Sequence, residues 1–383
     1  CAALTAAAVE GLQANEPAES VGAALKHFIG YSIPASGRDR AGADVAPHVL
    51  REIFLPPYAA GIRAGARSVV LNLADLNGVP VHADRDLITG LLKGELGFAG
   101  VAVSDWMAVD YLFSHHHVAE DPRQAVALAV NAGVDLVMVP FDLAFGDHLE
   151  ALVHEGRVPL ARIDDAARRV LAFKEELGLF EEAVHPAARH PLFGAAEFRE
   201  TARRAAAESL TLLKNARKTL PLAPDARVLV TGPAAHSMAA LNGGWSYTWQ
   251  GVETDRYHSG PTILDALRDK LGAGRVVFAP APTDDPADLQ RAVQAAAGVD
   301  AVVACLGEAP YAEVFGNVDD LTLPAPQVEL GRRRPALELL HEGGFSRESM
   351  CVNKSFSLAF DFSTGMFIFS LVENLKYKRG RLL

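Results

Sequence analysis

Three features of the sequence predict an α/β fold in two units. Short apolar strands centred near residues 71, 102 and 136 recur about every 31 to 34 residues with a helical stretch between each pair, the rhythm of βαβ units. A second alternation of helix and strand runs from Arg227 to Leu306. Between them, Glu181 to Arg199 breaks the rhythm with His185-Pro186 and His190-Pro191 and reads as a linker. A chain of 383 residues, 50% of them hydrophobic, is long enough for two cores.

Taken in order, the Ala-rich stretch Cys1 to Leu12 reads as a helix already under way, and the sequence opens without the layout of a signal peptide. Val21 to Phe28 is a strand that delivers Lys26 and His27 at its carboxyl end, followed by the loop Gly30 to Asp44. The helix Val49 to Ala64 leads to the strand Ser68 to Leu73, and the helix Asp86 to Leu96 to a strand ending in Ser104-Asp105-Trp106. Asp121 to Ala132 then leads to Val134 to Val139, with further helix at Phe145 to Glu155 and Arg162 to Leu177. Four such strands make part of an (α/β) barrel, since a whole one takes about 250 residues. A doubly wound open sheet has the same rhythm, and periodicity leaves both open.

The second unit begins with the helix Arg199 to Leu213. It continues through strand Arg227 to Thr231, helix Thr262 to Leu271, strand Arg275 to Ala279, helix Pro286 to Ala297 and strand Asp300 to Leu306. After about Gln327 the alternation stops. The run Phe356 to Val372 is aromatic but contains Asp361, and its 17 residues fall short of the roughly 20 that a membrane span needs.

The run Val101-Ala102-Val103 lacks polar alternation, as a parallel strand buried on both faces does, and chemistry collects at the carboxyl ends of such strands. Asp105 is therefore the leading candidate for a catalytic carboxylate, its alternative role being a helix cap. Glycoside hydrolysis needs two carboxylates, and Glu308 and Glu313 in the loop Gly307 to Gly316 offer a second. Trp106, and Trp245 and Trp249 on the glycine-rich loop Gly243 to Gly251, present indole faces on which sugar rings stack, core packing being the plainer role for each. Lys26 and His27 can donate hydrogen bonds to sugar hydroxyls.

A net charge of -11 argues against a nucleic-acid partner. Cys1, Cys305 and Cys351 form neither a disulfide framework nor a CxxC pair. His115-His116-His117 lacks the spacing of a metal motif, and Gly232-Pro233 lacks that of a phosphate loop. Neither metal nor cofactor is expected.

These residues carry a resemblance to glycoside hydrolase family 3, the β-glucosidase and exo-glucanase-like group. Lys26-His27-Phe28 with Gly30-Tyr31 is similar to that family's KHF strand, and Leu50-Arg51-Glu52 with Leu55-Pro56-Pro57 to its LRE..LPPF helix. Asn77-Gly78-Val79-Pro80 resembles its NG.P turn and Gly97-Phe98 through Trp106 its nucleophile strand. Ala132 to Leu136, Arg162-Ile163-Asp164, Leu212-Leu213-Lys214-Asn215 and Leu220-Pro221-Leu222 continue the match. Gly243-Gly244-Trp245 with Trp249-Gln250-Gly251, and Gly307-Glu308 with Pro310-Tyr311 and Glu313, resemble second-domain loops.

The resemblance implies a partial TIM-like (α/β)8 barrel over 1–180, a linker over 181–208, an (α/β) sandwich over 209–327 and an atypical tail over 328–383, with the site between the two domains. It implies a retaining, exo-acting β-glucosidase in which Asp105 is the nucleophile and Glu313 the acid/base. Trp106 and Trp249 would flank the acceptor sugar, and Lys26 and His27 hold the donor. The substrate would be an oligosaccharide or β-glucoside and the setting secreted or periplasmic. β-Xylosidase and an inactive sugar-binding remnant are the alternatives. The hexosaminidase branch is disfavoured because Ile33 to Asp44 holds no histidine. The family's early barrel strands, with a donor-binding Asp and Arg, have no counterpart in the sequence, and the tail reads as foreign to the fold, the mark of a shifted frame, a retained intron or a truncation junction.

Overall fold

A computed structural model describes residues 1–13, 21–181, 194–213, 215, 218, 220–257, 260–281 and 285–332. They fall into two compact units, one holding the described residues up to Glu181 and the other those from Gly194. Lys214, the two His-Pro pairs and the expected tail from 333 onward lie outside the described residues.

The first unit contains strands β1 (Ala24–Phe28), β2 (Ser68–Leu71), β3 (Asp75–Leu76), β4 (Val79–Pro80), β5 (Val101–Trp106) and β6 (Leu136–Met138). The order β1-β2-β5-β6 forms one sheet in which every pair is parallel. Strands next to each other in the sheet follow each other in the chain, with only the β3–β4 hairpin interposed. That is how a barrel wall winds, whereas a doubly wound sheet reverses direction about its first strand. Alternate residues serve opposite faces. Val69, Leu71 and Ala102 join the main core, while Val70, Val101 and Val103 pack with Val170 and Phe173 of the helix Leu160–Glu176. Both faces are covered, which accounts for the unbroken apolar run before Asp105.

Several boundaries differ from the sequence expectation for local reasons. β2 ends at Leu71 rather than Leu73 because Asn72 turns the chain, its Oδ1 accepting from the Ala74 N–H at 2.7 Å. The helix expected from Val49 begins at Pro47 and reaches Arg63. Its turn over Leu50–Phe54 widens just before Pro56 and Pro57, which bring no N–H to the ladder. Asn77 (φ 53°) and Gly78 (φ 81°) both adopt positive φ, as the two-residue turn joining β3 to β4 requires. The Asn77 side chain also bonds both ways to the backbone of Val45, fixing the hairpin to the loop that leaves β1.

Asp135, just before β6, is a buried hub. Its side chain, fully out of solvent, meets Lys93 at 2.7 Å and Arg162, and accepts the Ala102 N–H at 2.9 Å. Burial presses the Lys93 ammonium below the usual lysine range, against the opposing pull of Asp135. Asp135→Ala removes the buried anion shared by Lys93 and Arg162, leaving both cations with only the more exposed Asp165, and is expected to cost about 3–5 kcal/mol, read as a lower urea midpoint. An unchanged midpoint would show that the hub is dispensable.

The second unit is built on β7 (Val228–Thr231), β8 (Val276–Ala279) and β9 (Ala301–Ala304), in the parallel order β8-β7-β9. Val228 and Val230 face the helix Ile263–Leu271, and Leu229 faces the end of the helix Pro286–Ala296, so the sheet is sandwiched between helical layers. A full capping box between Thr262 and Asp265 starts the first of these helices. The helix expected over Arg199 to Leu213 spans Ala196–Ser209 and so overlaps the stretch expected as linker. The helix Ala325–Arg332 runs past the expected end of the domain, and buried Gln327 clasps both backbone groups of Gly307 at 3.0 and 2.8 Å.

Candidate active site

Asp105 lies one residue before the end of β5, partly buried. Its Oδ1 accepts the Trp106 N–H at 2.7 Å and its Oδ2 lies 3.5 Å from His27 Nε2 at the end of β1. The helix that follows, Ala108–Ser114, starts from Met107 in the left-handed region (φ 58°) with no side-chain cap, so Asp105 caps no helix. Ser104, fully buried, accepts the Met138 N–H at 2.8 Å and donates to the Asp105 carbonyl at 2.9 Å. The carboxylate is thus held by the Trp106 N–H of its own strand with His27 beside it, while Ser104 ties the backbone there to β6, and it stays partly exposed.

Burial, with help from the Lys26 charge, lowers His27 to about 3. Its contact with Asp105 is accordingly that of a neutral ring with a carboxylate, not an ion pair. Lys26 itself is exposed. Tyr31 packs edge-on against the His27 ring at 5.1 Å and donates to Asp39 Oδ1 at 2.5 Å. Burial, and then Asp39, hold the Tyr31 phenol protonated, pushing it well above its ordinary value. Arg40, beside Asp39, donates to the Tyr111 hydroxyl at 3.1 Å and ties this loop to the helix behind β5. Trp106 is 50% exposed and meets Phe141 edge-on at 5.9 Å.

Sequence reasoning missed the groups beneath these side chains. Buried His82, in the turn after the β3–β4 hairpin, accepts the Asp105 N–H on Nε2 at 3.1 Å. Buried Asn72 donates its side-chain amide to the Ile29 carbonyl at 3.0 Å. A histidine four residues after the Asn77-Gly78 turn was the available signal, but only the folded hairpin shows where it returns.

In the second unit the two aromatic and acidic loops are packed together. Gln250 brackets Ala312, accepting its N–H at 2.9 Å and donating to its carbonyl at 3.2 Å. A Cβ on Gly244 would stand 2.6 Å from the Tyr311 carbonyl, which explains the glycine there. Trp245 (51% exposed) and Trp249 (41% exposed) lie 6.5 Å apart, and Trp249 meets Phe315 edge-on at 5.5 Å. Neither tryptophan is core. Glu313 follows Ala312 directly at φ 54°, while Glu308 accepts the Tyr311 hydroxyl at 2.9 Å. Gln250→Leu leaves the Ala312 groups without partners and is expected to cost about 1–3 kcal/mol. Faster amide exchange across residues 310–316 checks it, and unchanged exchange there would contradict the clamp.

His116 contacts the Leu73 carbonyl and His117 that of Phe113, so the three-histidine run does not converge. Among the described residues no cluster of three or more His, Cys, Asp or Glu is placed to hold a metal ion, and no helix is long and apolar enough to cross a membrane.

The model of the glycosyl hydrolase family 3 N-terminal domain matches residues 1–173, and that of the family 3 C-terminal domain residues 210–333. A lysosomal beta glucosidase of Dictyostelium discoideum is 38% identical over 348 residues, 85% of this chain and 42% of its own. A beta-xylosidase of Formosa agariphila is 31% identical over 359 residues, 88% of this chain and 48% of its own. Among solved structures, beta-glucosidase from Listeria innocua in complex with glucose superposes with a TM-score of 0.77 at 30% identity, covering 86% of this chain and 45% of that one. The chain thus spans about half the length of the curated relatives it matches. Its strand order, its carboxylate at the end of β5 and these matches over both units agree: the chain belongs to glycosyl hydrolase family 3.

Proposed function

We propose that the chain carries the catalytic pair of a retaining, exo-acting β-glucosidase that removes terminal glucosyl residues from oligosaccharides. An oxygen of Asp105 attacks the anomeric carbon as the glycosidic C–O bond breaks, and Glu313 gives its proton to the departing oxygen. Glu313, now a carboxylate, takes a proton from water, whose oxygen displaces Asp105 and releases the sugar with its configuration retained. Neutral His27 and the ammonium of Lys26 donate to sugar hydroxyls, and Trp106, Trp245 and Trp249 offer exposed faces for stacking.

The observation that carries this reading is the Asp105 carboxylate, held at the end of β5 by the Trp106 N–H and facing the neutral ring of His27. Hydrolysis of an aryl β-glucoside, followed by NMR of the first-formed sugar, tests it. β-Glucose as the initial product is expected, and α-glucose as the initial product would overturn retention. The beta-xylosidase relative supports a second reading, favoured if an aryl β-xyloside is cleaved with the higher kcat/KM. Glucose binding without turnover would favour a sugar-binding remnant.

A further inference from the structure

We infer that His82 is a positioning residue for Asp105, setting the nucleophile's backbone through an N–H···Nε2 bond and coupling it to the strand that carries His27. The inference rests on the role proposed for Asp105. Its starting point is a shortfall in the sheet. The Val101 N–H points toward β2, donating to the Arg67 carbonyl, so the same-side donors that follow at every second residue are Val103 and Asp105. β2 pairs with β5 only as far as Val70 opposite Val103, and it ends at Leu71. β5 outruns its neighbour, and His82 Nε2 takes the place of the strand carbonyl at 3.1 Å from the Asp105 nitrogen.

Accepting on Nε2 leaves the ring proton on Nδ1, and the backbone of Asn72 is the hydrogen-bonding neighbour that acts on this ring. Asn72 continues the relay. Its N–H donates to the Phe28 carbonyl at 2.6 Å and its side-chain amide to the Ile29 carbonyl at 3.0 Å. Both acceptors follow His27 in the chain. β1 and β5 are not neighbours, because β2 stands between them, so no ladder sets His27 against Asp105. The buried path Asp105–His82–Asn72–Phe28/Ile29 does. Burial, and the neighbouring His116, lower His82 to about 3, so Nε2 stays an acceptor across the working range of pH.

The test compares His82→Leu, which fills the space without an acceptor, with His82→Gln, whose side-chain oxygen can receive the Asp105 N–H. In ¹⁵N-labelled wild type, a through-bond coupling between the Asp105 nitrogen and His82 Nε2 is expected, together with slow exchange of the Asp105 amide. In the Leu variant that amide exchanges faster, and kcat on an aryl β-glucoside falls about 10²-fold with KM little changed, the scale of a displaced reacting group. The Gln variant recovers most of both. A folded Leu variant with wild-type amide exchange and kcat overturns the inference, as does hydrolysis by a wild type that lacks the coupling. A coupling in a wild type that neither hydrolyses glucosides nor is trapped at Asp105 would sink the glucosidase reading alone and leave the His82–Asp105 link standing.

Discussion

Asp105→Asn is expected to lower kcat/KM for an activated aryl β-glucoside by about 10⁴-fold, equivalent to about 5 kcal/mol of lost transition-state stabilisation. The substitution is nearly isosteric. The side-chain oxygen can still accept the Trp106 N–H, Ser104 still links β5 to β6, and the His82 bond uses only the backbone, so the fold should survive. What disappears is the charge that attacks the anomeric carbon and forms the glycosyl ester. Matched far-UV spectra and urea midpoints separate lost chemistry from lost structure. An Asn variant retaining activity within tenfold of wild type would remove Asp105 from the nucleophile role.

Glu313→Gln should show a different pattern, because an acid/base acts on the leaving group and on water, not on the sugar carbon. With a poor leaving group the rate should fall by about 10²–10⁴-fold. With dinitrophenolate, which departs without a proton, the first step should be nearly untouched and breakdown of the ester should become limiting. Azide, which needs no base, should then restore turnover and yield β-glucosyl azide. Glu308→Gln is the control. The Glu308 carboxylate accepts the Tyr311 hydroxyl and so helps shape the loop. Azide rescue in that variant, and not in Glu313→Gln, would reassign the acid/base.

The sequence was most informative where a residue's role depends on its own strand or turn. The unbroken apolar run before Asp105 reads as a buried parallel strand ending at Trp106, and the structure gives the strand that end and covers both its faces. Strand rhythm could not choose between a barrel wall and an open sheet, since both repeat strand and helix at the same interval. The family resemblance chose the barrel, and the chain-order sequence β1-β2-β5-β6 agrees with it, a long-range fact that spacing does not carry. Thr262 and Asp265 likewise form a capping box by local spacing, which makes Thr262 the N-cap and not the first residue of the helix.

What stayed hidden depends on the chain's return path. His82 is unremarkable in sequence, and its value lies in a hairpin that brings it beneath a strand end 23 residues later. Gln250 lay inside a recognised loop, but its grip on Ala312 spans 62 residues. The helix Ala325–Arg332 crosses the expected boundary at Gln327. A change in composition was visible there, whereas the clasp of Gln327 on Gly307 was not.

The most direct test of the account is to treat the chain with a 2-deoxy-2-fluoro-β-glucosyl fluoride, which slows both steps but supplies a leaving group good enough for the ester to form. Digestion and mass spectrometry then locate the label. The account predicts one fluoroglucosyl unit on the peptide containing Ser104-Asp105-Trp106, bound through the Asp105 carboxylate and absent from Asp105→Asn. A label on any other carboxylate, or hydrolysis by a chain whose Asp105 is never labelled, would contradict it.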